Sequence, residues 1–304
     1  ESKSFDAVSV STPDHTHAVV AMAAMRRKKH VYVQKPLTHD IWEARMLTEA
    51  ADKYKVVTQM GNQGSSGDGV RQMQEWFDAG IIGDVHTVYI FTNRPIWPQG
   101  IPWPTDRPPV PKELNWDLWL GTAPYKDYVD NLIPCSWRGW WDDGTGALGD
   151  LGCHLMDAPF RILGIEYALD VQASVTSVFT AFGQRGYFPD SFPPSSHATL
   201  TFPQTSKTKG QVIMHWMDGG IKPERPEELG ANEVFGDGNS GILFVGTKGK
   251  MMASEYAANP RLLPLSRNAE VKVPQTQPRV RGGADGHYAQ WVEGCIAGYG
   301  NMEL

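Results

Sequence analysis

FDAVSVSTP, HVYVQKP and VVTQMGN are three short, apolar, β-branched runs within the first sixty or so residues, and one helical stretch separates each from the next. This alternation constrains the fold more than any other feature of the chain. Strands that alternate with helices of this length pair in parallel through right-handed crossovers. DHTHAVVAMAAMRRKK places Asp14 as a capping residue before an Ala/Met-rich helix. THDIWEARMLTEAADKYK has Thr38 or Asp40 as caps and apolar residues at Ile41, Ala44, Leu47 and Ala51.

The pattern changes after Ser65. VRQMQEWFDAGIIG reads as a helix stopped by Gly80 or Gly83, and VHTVYIFTN as a strand. Residues 94–141 are rich in Pro and Trp, a long irregular excursion of the kind that usually serves function. GALGDLGCHLMDAPFRILG returns to helix, and strand-like runs follow at 171–180, 197–203, 210–217 and 242–253. Strands in succession predict a largely antiparallel sheet. The expected architecture is α/β plus α+β: the C-terminal part of a doubly wound parallel-sheet domain over residues 1–64, then a largely antiparallel open-sheet domain over 65–304.

Bulk properties agree with two domains. The chain has 304 residues, 41% hydrophobic and 20% charged, as soluble globular proteins do. A net charge of −6 argues against a nucleic-acid partner or an anionic membrane. No apolar run approaches the roughly 18 residues of a membrane span. Three cysteines, Cys135, Cys153 and Cys295, are too few and too dispersed for a disulfide framework or zinc knuckle. The chain opens with a strand already under way, as a segment truncated at its N-terminus would. Compartment stays open between the cytoplasm and, had a leader been lost, the periplasm.

Four groups of residues carry chemistry. Lys35 follows an apolar strand and is fixed by Pro36, at the strand end where open α/β sheets bind ligands. An ammonium there is suited to stabilising charge on a substrate oxygen, or it is a solvated loop lysine. The Lys35–Pro36 bond is also a candidate for cis. In DLGCHLMD, helical spacing puts Asp150 and His154 on one face, with Asp157 three residues on. That set suits a general base with its orienting carboxylate, a metal site, or an ordinary capped helix, and the preceding GTGALG favours close approach of a ligand. In TPDHTHAVV, His15 reads as part of a helix start, in a loop whose free N–H groups suit a phosphate or ribose. Trp97, Trp103, Trp116, Trp119, Trp137, Trp140 and Trp141 pin irregular structure or stack on sugars. Trp137, Arg138 and Trp141 are the substrate candidates, because they immediately precede the Asp150–His154 helix.

Together, VSVSTPDHTHAVVAMAAM, KKHVYVQKPLTHDIWEA, WWDDGTGALGDLGCHLMDAPFRILG and GILFVGTKGKM resemble the Gfo/Idh/MocA oxidoreductases, the glucose–fructose oxidoreductase and inositol dehydrogenase group. The resemblance covers nearly the whole chain. It implies a partial Rossmann domain that binds NAD or NADP, and a sheet domain that covers the nicotinamide. It implies Lys35, His154 and Asp150 as catalytic. It places Thr12, Pro13 and His17 in the loop lining the nicotinamide, with Gln34, Pro36 and Asn62 as further cofactor contacts and Asp157 beside the substrate. The implied reaction is hydride transfer between nicotinamide and the hydroxyl-bearing carbon of a sugar, glycoside or cyclic polyol. An NAD-assisted glycosidase and a non-catalytic sugar-binding or regulatory protein are the alternatives. The implied assembly is a homodimer or homotetramer, and no metal is expected. The chain departs from the family at Gln34, where Glu is common, and no G-x-G-x-x-G opens it to cradle the pyrophosphate.

Overall fold

In the computed structural model, which describes residues 4–300, the three apolar runs become β1 (Ala7–Val10), β2 (His30–Val33) and β3 (Thr58–Met60), paired in parallel in that order. Their crossovers are α1 (His17–Met25) and α2 (Ile41–Tyr54). Both helices cover one face: Val10, Val31 and Val33 pack with Ala18, Ala21, Met25, Leu47 and Ala50. Asp40, not Thr38, caps α2. Its carboxylate accepts the Glu43 N–H at 2.8 Å, and Glu43 in turn accepts the His39 N–H at 2.9 Å, a reciprocal capping arrangement. Of the predicted apolar stripe Leu47 is buried, whereas Ile41 is 75% exposed and borders a cleft described below. Asp14 caps nothing. It lies in a one-turn 3-10 segment ahead of α1 and its carboxylate is engaged elsewhere.

From β3 the chain enters α3 (Asp68–Asp78), which ends before Gly80 in the left-handed region, and then β4 (Val85–Phe91). The Pro/Trp-rich excursion contains only α4 (Trp116–Leu120) and a 3-10 turn at Ser136–Gly139. The helix expected after it is two, α5 (Gly146–Leu155) and α6 (Asp157–Leu163), hinged at Met156. Pro159 has no N–H to offer the carbonyl of Leu155, and it stands instead in the first turn of α6, where no such bond is needed. There follow β5 (Asp170–Val175), β6 (Phe179–Ala181), β7 (Gln184–Arg185), β8 (Ser196–Phe202), β9 (Val212–Met217), β10 (Gly241–Gly246), β11 (Gly249–Ala253), β12 (Arg261–Leu263), α7 (Arg267–Glu270) and α8 (His287–Ala297). The run at 242–253 is thus a hairpin of two strands.

The second sheet has the order β12-β11-β10-β4-β9-β8-β5 and is antiparallel except for the β4–β9 pair. α3, α5 and α6 cover one face, burying Val88, Ile90, Leu151, Leu155, Ile162, Met214, Trp216 and Phe244. The alternation of side chains therefore turns His197, Thr199, Ile213 and His215 to the other face. β6 and β7 form a separate two-stranded hairpin. α8 returns to the first sheet: the His287 carbonyl accepts from Gln59 Nε2 at 2.8 Å, and Tyr32 meets the rings of Tyr288 and Trp291.

Candidate active site

β2 delivers Lys35. Gln34 N–H still bonds the Val10 carbonyl, as in a strand, and the chain then turns sharply through a cis Lys35–Pro36 bond. The side chain of Gln34 lies over Gly61, where a Cβ would come within 2.5 Å of its Oε1. From across the domain junction α5 brings up Asp150. Lys35 Nζ donates to Asp150 Oδ1 at 2.6 Å and to the Asp150 carbonyl at 3.1 Å, and Arg138 Nε lies 3.5 Å from the same Oδ1. The pair is largely enclosed, with side-chain exposures of 23% and 9%.

His154 stands one turn further along α5 and is 4% exposed. Spacing predicts that Asp150 orients it, but the carboxylate bonds Lys35 instead. A charge-assisted bond to an ammonium is the stronger partner. Both imidazole nitrogens of His154 are buried without a hydrogen-bond partner. Burial, reinforced by the Lys35 charge and opposed by Asp150, lowers its pKa to about 3. The ring is therefore neutral near pH 7, with acceptor capacity free. The ring of Tyr256, which sequence patterns did not single out, stands edge-on to it at 4.5 Å.

The loop after β1 supports this centre from beneath. His17 is buried, with Nδ1 at 2.7 Å from the Pro36 carbonyl and Nε2 at 2.7 Å from the Thr12 carbonyl. It presents no free nitrogen to a cofactor; it ties together the two loops that carry Thr12, Pro13 and Pro36. His15 does not shape a helix start. Its ring faces the carbonyls of Asp143, Trp119 and Leu120 at 3.0–3.1 Å and so holds the Trp-rich excursion. Asp14 accepts from Thr145 Oγ1 at 2.8 Å, and burial raises its pKa against the pull of Thr145, His17 and Arg138. Among the described residues no group of three or more His, Cys, Asp or Glu is placed to hold a metal ion.

The remaining candidates separate. Trp137 is 5% exposed, packs in a cluster with Trp116, Trp140 and Leu132, and donates its indole N–H to Pro134 O at 2.8 Å. It is a support for the Arg138 guanidinium, 4.2 Å above its ring, and not a free platform for a sugar. Trp141 is 52% exposed, packs on Phe192, and with Pro36, Ile41, Thr145 and Leu148 borders a cleft of about 630 Å³. Asn62 Nδ2 donates to Asp157 Oδ1 at 3.2 Å, so the two are engaged with each other at the β3 exit. The glycines of GTGALG make room for protein: a Cβ on Gly144 would meet the backbone of Arg138 and one on Gly146 the ring of Phe192. Cys153 is kept a thiol, its pKa pushed up to about 12 chiefly by burial.

A three-stranded parallel sheet with a lysine at the exit of its central strand, facing an Asp/His helix packed on a second, mixed sheet, defines a two-part α/β architecture. The family model described as "Oxidoreductase family, NAD-binding Rossmann fold" matches residues 1–62, and that described as "Oxidoreductase family, C-terminal alpha/beta domain" matches residues 73–179. The chain belongs to the Gfo/Idh/MocA oxidoreductase family. It is 25% identical over 162 residues to a scyllo-inositol 2-dehydrogenase (NADP(+)) of Bacillus subtilis, covering 53% of this chain and 36% of that protein. It is 26% identical over 158 residues to a levoglucosan dehydrogenase of Pseudarthrobacter phenanthrenivorans, covering 52% and 33%. The matches thus span about a third of the length of these relatives. Among solved structures, the WlbA dehydrogenase from Bordetella pertussis in complex with NADH and UDP-GlcNAcA superposes with a TM-score of 0.57 at 16% identity, covering 98% of this chain and 70% of that one. That likeness shows the fold.

Proposed function

We propose that the chain belongs to an NAD(P)-dependent dehydrogenase that oxidises a secondary hydroxyl of a sugar, glycoside or cyclic polyol. The observation that carries this reading is the Lys35–Asp150 pair beside a neutral, unpartnered His154. The named activities of the two relatives support the polyol and anhydrosugar class. The residues present fit the nicotinamide end of a dinucleotide, because the exits of β1 and β2 converge on Lys35 under the tie made by His17. Residues 1–62 contain no G-x-G-x-x-G turn for the pyrophosphate. Thr12, Pro13, Gln34 and Pro36 would border the nicotinamide, which when bound accepts the hydride.

The chain's own residues handle the oxygen. His154 takes the hydroxyl proton as the carbon becomes a carbonyl. Lys35 donates to the same oxygen and limits the charge on it as the proton leaves. Asp150 fixes the ammonium, and Arg138 Nε lies 3.5 Å from the same carboxylate oxygen. The geometry does the positioning; the hydride chemistry is the cofactor's.

Incubation with NAD or NADP and a panel of inositols, anhydrosugars and aryl glycosides tests the reading. A ketone formed in step with reduced nicotinamide is the expected result. An aglycone released without net reduction would point to the glycosidase mode. A bound sugar with no turnover, and with equal affinity after His154→Ala, would point to the binding-protein alternative.

A further inference from the structure

The turn between β11 and β12 holds a conformation that needs a reason. Tyr256 has φ 62° and ψ 21°, Ala257 follows at φ 56°, and Asn259 lies at φ 48°. Residues with a Cβ avoid this left-handed region, and two in succession rarely persist unless the surroundings enforce them. Here the surroundings do. The turn is pressed against the segment after β3, where a Cβ on Gly64 would lie 2.7 Å from Tyr256 Cβ and one on Gly69 would lie 2.0 Å from the Ala257 carbonyl. Two glycines, one just after β3 and one in the first turn of α3, thus admit a strained turn from between β11 and β12.

What the strain achieves is the placement of one ring. Tyr256 stands edge-on to His154, centroids 4.5 Å apart and planes at 87°. His154 receives no hydrogen bond that would fix its plane, so side-chain packing has to do so. Tyr256 itself remains 36% exposed. The charged groups around this pair are Lys35 from the β2 exit, Asp150 on the histidine's own helix, and Glu255 and Arg94 about the phenol.

We propose that Tyr256 is a positioning residue for His154, its ring fixing the imidazole plane and excluding water from one side until a substrate hydroxyl arrives. This rests on the dehydrogenase reading for its purpose but not for its test. The ring, more than the hydroxyl, carries the effect: the phenol lies toward Glu255, and it is ring packing that meets the imidazole. Burial lowers the basicity of His154, and Tyr256 supplies part of that burial.

The test is NMR titration of His154 in the cofactor-free chain, assigned by its loss in His154→Gln. Tyr256→Ala admits water, and the imidazole midpoint is expected to rise by about one pH unit or more toward its ordinary value. Tyr256→Phe is expected to leave it unchanged. Tyr256→Leu, which keeps apolar volume, serves if the alanine variant fails to fold, with an intermediate rise expected. Identical midpoints in wild type and the alanine or leucine variant would overturn the proposal, as would a phenylalanine variant shifted as far as alanine. In turnover, Tyr256→Ala is expected to lower kcat about tenfold with KM little changed, with full rescue by Phe. If the titration shifts as stated while no variant or wild type turns over any hydroxyl substrate, the dehydrogenase reading fails and the positioning role stands.

Discussion

Lys35 and His154 serve the same oxygen in different ways, and their substitutions differ accordingly. Lys35→Met removes the donor that limits developing charge. It is expected to cost about 10²–10³-fold in kcat while the far-UV spectrum stays native, measured by steady-state turnover and circular dichroism. The histidine leaves a mark on stability. Its pKa is about 3 in the fold against an ordinary value near 6.5 when unfolded. Between those values the unfolded chain binds the extra proton. The depressed folded pKa therefore contributes stability that is present above about pH 6.5 and is lost as pH falls toward 3. The urea midpoint is expected to drop from pH 7 to pH 5, and to drop less in His154→Leu; equal slopes in the two proteins would refute this. The lysine and histidine were legible because strand-end and helix-spacing rules reach single residues. Tyr256 was not, since the left-handed turn that aims it depends on Gly64 and Gly69, nearly two hundred positions away in sequence.

At the scale of elements, local chemistry read well where it was self-contained. Asp40 and Glu43 announce the start of α2, and Asp40→Ala is expected to lower stability by about 1 kcal/mol, checked by urea denaturation. The break at Met156 was carried by Pro159 but masked by the apolar continuity of the segment. GTGALG serves two neighbours, with Gly144 and Gly146 admitting protein while Thr145, Leu148 and Gly149 border the cleft, because a glycine pattern reports that something approaches, not what. The long segment from α7 to α8 shows a tie that no local rule exposes. Glu75, 3% exposed on α3, accepts from Arg279 at 2.8 Å and from the N–H groups of Thr276 and Gln277 at 2.9 Å. The hydrogen bond from Arg279 lowers the Glu75 pKa below 4.5. Its stability is thus fully present above about pH 4.5 and falls away as pH drops through the lowered value. Glu75→Gln is expected to lose about 1–3 kcal/mol at pH 7 and to show a flatter stability profile below pH 4.5.

The whole molecule leaves a surface that one copy does not cover. Every residue of β5 is exposed, including Val171 and Val175, and the β6–β7 hairpin beyond it carries exposed Phe179, Phe182 and Tyr187. An apolar edge strand invites pairing, and a two-stranded hairpin is marginal alone, so the proposed homo-oligomer has a place to form. The hairpin leads directly into the wall of the cleft. Asp190 accepts from the Trp141 N–H at 3.0 Å, Phe192 packs on the Trp141 ring, and Phe192 O accepts from Gly100 N–H at 2.7 Å. Burying the hairpin against a second copy would therefore steady Trp141 and its neighbours without touching Lys35 or His154. Val175→Lys combined with Phe179→Lys is expected to convert an oligomer into a monomer by light scattering, with unchanged circular dichroism. If the cleft holds part of the substrate, the monomer's KM rises while kcat is kept, because the reacting groups sit on β2 and α5, away from the lost interface. A fall in kcat with KM constant would show instead that assembly acts on the Lys35–Asp150–His154 centre itself.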